Sequence, residues 1–291
     1  MKKYVSLLIA LSIGLTSCGK DDDGKKPALP TLNRLTKVTC TKNNASYPQH
    51  VLTITYNQNG LVSDIVRDGK YTDIFTFDTD RMIVNSFTAE GTSSPVLTKK
   101  VNYQLSQGGI IKSEIYLKNQ HKNNEEYLSD VYSFLYNRSN LITSSWDETH
   151  WPKTDGTGYE NRAVMETFTY TWEDGNLINY KSGTKEMTFT YKNEFHPETF
   201  PLRFVNTFDF TVESIVTPLN FFLGNRNRKL VETAYWYILP DVENIHAKYS
   251  FSYNSTGEYI TGMTVTEEIF PINGATAQNN TYVYSLEYNY K

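Results

Sequence analysis

Residues 144–162 read SSWDETHWPKTDGTGYENR. Trp146, Asp147, Glu148, His150 and Trp151 fall within six positions, and Asp155, Gly156 and Gly158 then mark a long loop. The chemistry such a cluster can do is carbohydrate recognition. An indole stacks on the apolar face of a sugar ring, while carboxylates and an imidazole take its hydroxyls. The competing reading is a loop whose two Trp fold back onto a sheet and hold nothing. These five residues form the candidate ligand-binding site. A second aromatic group, Tyr235-Trp236-Tyr237, alternates and places Trp236 on one sheet face and both Tyr on the other.

Elsewhere the residues of catalysis lack the spacing that catalysis needs. There is no GxSxG, HExxH, phosphate-binding loop or GxGxxG. The five histidines stand at 50, 121, 150, 196 and 246, none two or four positions from another, so no metal site or cofactor is expected. A glycosidase carboxylate pair needs closeness in space, and 32 acidic residues single out none. The expectation is a protein that is not an enzyme. A net charge of −4 argues against nucleic acid as a partner, because phosphate contacts need clustered Lys and Arg. At 39% hydrophobic and 14% aromatic the chain is too apolar for disorder, and two cysteines cannot staple a disulfide scaffold.

The first residues carry an address. Lys2 and Lys3 precede an uncharged apolar stretch, Val5 to Leu15. It is too short for a permanent spanning helix and fits the core of a secretory signal peptide. Leu15-Thr16-Ser17-Cys18-Gly19 resembles the lipobox of bacterial lipoproteins, which implies lipidation of Cys18 and cleavage before it. Two or more acyl chains anchor a protein stably, at about 0.8 kcal/mol per buried CH₂. Loss of residues 1–17 takes Lys2 and Lys3 away and moves the net charge from −4 to −6. Asp21-Asp22-Asp23 resembles the export signal that sends Bacteroidetes lipoproteins to the exterior face of the outer membrane. Residues 18–30 read as an acidic, Pro-containing tether, and 31–291 as one domain. With Cys18 lipidated, Cys40 has no partner and reads as a buried, inert strand residue.

The domain repeats a hairpin signature. Segments 52–62, 132–142, 168–178 and 249–260 each alternate, end a strand in Tyr56, Tyr136, Trp172 or Tyr253, and turn through Asn, Asp, Ser or Gly before an apolar restart. Asn and Asp side chains mimic turn hydrogen bonds, and Gly supplies positive φ. Looser copies lie at 75–80, 101–109, 187–193 and 282–289. Period-2 patterning over the whole domain predicts an all-β fold: a single antiparallel meander of roughly 14–16 strands, curved or barrel-like. Thr217-Pro218-Leu219-Asn220-Phe221-Phe222-Leu223-Gly224 predicts one short helix, with a cap, Pro in the first turn and a terminating Gly.

Taken together, the lipobox, the acidic tether, the opening Leu35-Thr36-Lys37-Val38 strand, the Tyr-Asn-x-x-Gly hairpins and the insertion from Thr217 to Leu230 resemble a family. It is a family of Bacteroidetes surface lipoproteins of unknown function described as having a porin-like fold. The resemblance implies a long meander and transfers no catalytic residue. Three functions follow as expectations. One is a surface lipoprotein that binds an extracellular ligand such as a polysaccharide. Another is a structural lipoprotein that docks an outer-membrane protein. The least favoured is a true pore, because the strands alternate Thr or Ser with aromatics and carry charged flanks.

Overall fold

The computed structural model describes residues 35–43, 48–89, 94–106, 109–119, 125–139, 141–152, 159–197, 200, 227–238, 245–270 and 277–289, with 119, 125, 151–152 and 159–165 described by backbone only. The expected helix at 217–224 and the tether lie outside these residues. The strands are β1 (Leu35–Lys42), β2 (His50–Tyr56), β3 (Val62–Arg67), β4 (Tyr71–Phe77), β5 (Arg81–Thr88), β6 (Val96–Ser106), β7 (Gly109–Asn119) and β8 (Glu125–Tyr136). They continue with β9 (Ile142–Pro152), β10 (Tyr159–Glu173), β11 (Asn176–Lys181), β12 (Lys185–Phe195), β13 (Lys229–Ile238), β14 (Ile245–Thr256), β15 (Tyr259–Ile269) and β16 (Gln278–Tyr288). Each pairs antiparallel with its sequence neighbours, and β16 returns to pair with β1, closing a barrel.

Alternation fills this barrel. In β16, Tyr282, Tyr284, Leu286 and Tyr288 are buried while Val283, Ser285 and Glu287 face out. The inward residues of the other strands, among them Leu35, Leu52, Ile65, Met82, Tyr180 and Tyr249, join them in one apolar cluster. Outward positions carry cross-strand polar pairs: Lys37–Glu287 at 2.8 Å, Lys181–Glu186 at 3.5 Å, Lys248–Glu268 at 3.6 Å and Thr190–Thr233 at 2.5 Å. Cys40 is buried among the inward set, and burial pushes its thiol up to about 11, against a hydrogen bond from Tyr284.

The repeated turn-entry aromatic has a definite task. Tyr56, Tyr136, Trp172, Tyr191, Tyr253 and Tyr288 each donate from the ring's polar tip to a backbone carbonyl near the start of the preceding strand. The acceptors are Leu35, Ile110, Ile142, Leu177, Val231 and Ile260, at 2.5–2.9 Å. Alternation with buried Ile54, Phe134, Tyr170 and Phe189 turns Tyr56, Tyr136, Trp172 and Tyr191 inward, and the ladder slips just before each, with one extra residue on the partner strand. The following turns are set by side chains: Asn57 Oδ1 accepts from the N–H of Asn59 and Leu61, and Asn137 Oδ1 from Ser139 and Leu141. Gly175 has φ +76°, and a Cβ there would stand 2.4 Å from Arg228 Cδ, so only glycine fits. The β4 copy ends in Phe77, which has no donor and stacks on Phe75 instead. Removing one hydroxyl leaves a carbonyl short of its donor, so Tyr136→Phe and Tyr253→Phe should each cost about 1 kcal/mol. For a chain of this size that is about 2–4 °C in Tm. Melts of the variants that superpose on the parent's would refute the assignment.

Candidate functional site

The segment around Trp146 is strand, not the expected long loop. β9 runs on to Pro152 and β10 resumes at Tyr159. The turn residues Asp155, Gly156 and Gly158 fall in the connection at 153–158, outside the described residues. Residues 144–150 look loop-like because their polar members are tolerated on the water-facing side of a sheet. Alternation then divides the five candidates. Trp146 sits beside Ser133 and Thr167 on the outer face, half-buried, and Glu148 and His150 follow it there. Asp147 shares the inward face with Tyr132 and Glu166. Trp151 pairs in register with Glu160. The strand thus sends Asp147 to the opposite side of the wall from Trp146, Glu148 and His150.

Inside, Asp147 belongs to a polar group set into the aromatic core. Its Oδ1 accepts from the Glu166 backbone N–H at 2.9 Å, and Asp130 accepts from the Thr149 hydroxyl at 3.1 Å. Burial, then the Glu166 and Asp130 carboxylates, raise the Asp147 carboxyl above its ordinary range, against backbone hydrogen bonds that lower it. Burial and the Asp130 and Asp147 charges push Tyr132 up to about 12. Glu166 goes the other way. Burial raises it, but the Ser182 and Thr184 hydroxyls and the Lys185 ammonium hold it below the usual range. Ser145 and Tyr170 share a buried hydrogen bond of 2.9 Å, and Tyr170, Tyr180 and Phe189 stack in series.

On the outer wall, β5, β6 and β7 form a groove of about 460 Å³ lined by Asp80, Arg81, Ile83, Lys100, Asn102, Gln104, Lys112 and Glu114. Lys112 and Glu114 pair at 2.7 Å, the Tyr116 hydroxyl reaches Glu114 at 3.2 Å, and Lys100 lies 5.9 Å above the Tyr116 ring. The sequence reading missed this array. Its members alternate with core residues on three strands, and only the register between strands brings them together.

The four described histidines are dispersed. His50 bonds Asp68 at 2.8 Å, His150 is on β9, His196 packs on Phe200, and His246 meets the inward Trp236 edge-on at 4.4 Å. Among the described residues no group of His, Cys, Asp and Glu is arranged to hold a metal ion.

The interior carboxylates have opposite linkage to pH. A carboxyl raised in the folded state disfavours folding once pH exceeds its ordinary value, whereas one held low stabilises above that value and loses the contribution as pH falls. Asp147→Asn should therefore raise Tm at pH 7, a gain that disappears near pH 3. Glu166→Gln should lower Tm at pH 7, a deficit that shrinks as pH drops through about 4. Melting curves across pH 3–8 check both signs, and a loss of stability in Asp147→Asn at pH 7 would contradict the burial argument.

The barrel's relatives are found by shape more than by sequence. Among curated proteins none matches the chain. Two solved structures share its fold. A porin-like protein from Bacteroides uniformis ATCC 8492 superposes with a TM-score of 0.54 at 15% identity, covering 87% of this chain and 98% of that one. A porin-like protein from Bacteroides vulgatus ATCC 8482 gives 0.54 at 14% identity, covering 88% and 98%. At the sequence level the DUF5032 family model, a domain of unknown function, matches residues 19–291, nearly the whole barrel-forming chain and its tether, and the protein belongs to that family.

Proposed function

We propose that this chain is a lipid-anchored, non-catalytic binding barrel on the exterior of the outer membrane, held there by Cys18 and presenting its polar wall to an extracellular glycan. One observation carries the reading: the barrel is apolar inside and polar outside. Leu35, Val38 and Tyr180 are fully buried inward, while Lys37–Glu287 and Lys248–Glu268 pair on the outer face. A pore in a bilayer needs the reverse, a lipid-facing apolar band around a polar lumen. A Lys or Arg turned to lipid at mid-membrane costs about 2–4 kcal/mol, and this wall carries several. The described inward side chains gather in one apolar cluster, where a sixteen-strand porin keeps a polar, water-filled channel. A barrel of this polarity belongs in water, so membrane attachment falls to the lipid.

The docking alternative draws on a different feature. Tyr71, Val96, Ile238 and Phe270 are exposed apolar residues at the barrel end opposite the entry of β1. A protein partner seated on that rim would cover them.

The anchoring reading is tested by Cys18→Ala. The variant should leave the membrane fraction and run as a soluble, monodisperse protein without detergent, and the parent should label with palmitate and be shaved by protease from intact cells. A Cys18→Ala protein that still requires detergent, or that conducts in planar bilayers, would reinstate the pore.

A further inference from the structure

We propose that the outer wall of β5–β7 is the binding site, and that its ligand is an acidic oligosaccharide; the inference rests on the reading of the chain as a surface glycan binder. The ladder fixes the array. Arg81 is level with Gln104 and Gln104 with Lys112; Ile83 with Asn102 and Asn102 with Glu114; Asn85 with Lys100 and Lys100 with Tyr116. Three rows of three outward side chains result, roughly 5 Å apart across strands and roughly 7 Å apart along them. Each strand contributes one cation, and the other positions hold the amides Asn85, Asn102 and Gln104 together with Ile83, Glu114 and Tyr116.

The chemistry of the array selects its occupant. Asn102, at the centre, has a buried Oδ1 with no hydrogen-bond partner among the described residues, an acceptor that a ligand hydroxyl satisfies. Gln104 offers both donor and acceptor, and Ile83 and the Tyr116 ring offer apolar surface to a sugar face. Arg81 pairs with Asp80 at 3.8 Å, both side chains largely exposed, and its charge also reaches Glu114; the pairing is weak and leaves guanidinium donors for a bidentate carboxylate or sulfate. Glu114 is already engaged by Lys112 and the Tyr116 hydroxyl, so its charge is compensated within the groove. The lining itself carries three cations against Asp80 and Glu114, and Glu126 on β8 draws Lys100 at 3.9 Å, so the charge left open to a ligand is that of Arg81. Three cations are too few for a polyphosphate backbone. An added peptide strand has no edge to join, since every strand is paired on both sides. A short, hydroxyl-rich chain with an acidic group fits what remains.

The test uses the full chain in detergent micelles, titrated calorimetrically with a tetramer of galacturonic acid, a sulfated galactose tetramer and the neutral galactose tetramer. An acidic tetramer should bind about tenfold more tightly than the neutral one, with affinity falling as salt rises. Arg81→Gln should abolish that preference, and Asn102→Ala should weaken the acidic tetramer about tenfold with Tm unchanged. Arg81 is exposed, so its variant keeps the test valid if Asn102→Ala disturbs the fold. Equal binding of acidic and neutral tetramers overturns the inference. So does binding that survives both substitutions, or that is lost in Trp146→Ala alone, and in those cases the surface-glycan reading stands. Absence of binding to all three and to a broader glycan panel overturns both.

Discussion

Everything in this molecule depends on the ladder between the first strand and the last. β1 and β16 pair from Leu35↔Tyr288 to Lys42↔Tyr282, joining residues about 250 positions apart in sequence, as in the Lys37–Glu287 contact. That pairing removes the two edges a sixteen-strand meander would otherwise expose, and with them a template for aggregation. It also fixes which face of every strand is enclosed. Once the ladder shuts, inward positions favour apolar or bonded residues and outward positions favour polar ones. The seam is reinforced at its end by two of the six aromatic locks, Tyr56 to the Leu35 carbonyl and Tyr288 to the Ile260 carbonyl. A contact of such sequence separation is entropically costly to form first, so the hairpins, six of them locked locally by a Tyr or Trp, are the natural early units.

The abundance of tyrosine follows from the barrel's width. Sixteen strands enclose more volume than aliphatic side chains fill easily, and rings are the bulkiest fillers available. Tyr has a further advantage over Phe near the barrel's end, where strands stop and carbonyls lose their ladder partners. Its ring packs in the core and its hydroxyl reaches the orphaned carbonyl. The described inward Tyr therefore serve the fold far more than any ligand.

The fold was legible in sequence because each of its devices is local. Alternation, the Asn57 and Asn137 turns, and a positive-φ Gly at turns such as Gly60, Gly175 and Gly257 all act within about ten residues, and they indicate an antiparallel meander and its approximate strand count. Closure was not legible, since nothing in Leu35–Lys42 or Gln278–Tyr288 announces its partner. The site divided along the same line. Trp146, Asp147, Glu148 and His150 are conspicuous because they are adjacent, yet adjacency in a strand sends Asp147 to one face and the other three to the opposite one. Arg81, Asn102 and Glu114 are inconspicuous because they are 12–33 residues apart, yet the register places them on neighbouring strands of one face. In a β-sheet protein the residues that act together are set by register, a non-local quantity.

A closed wall constrains recognition further. With every backbone group of the wall committed to the ladder, a ligand can be held only by side chains projecting at the pleat's fixed spacing. Such a platform is rigid before binding, so little ordering entropy is lost there. It is also shallow and wet, which limits the affinity of a single site. Lipid anchoring of the kind proposed for Cys18 would offset that limit. Barrels tethered at the same surface meet a polymeric ligand as an array, and once one site is engaged the next binds at an effective concentration set by the tether. On the proposed reading the tether and the shallow groove belong to one design: the groove supplies selectivity, and the membrane supplies the avidity that an open β-wall cannot.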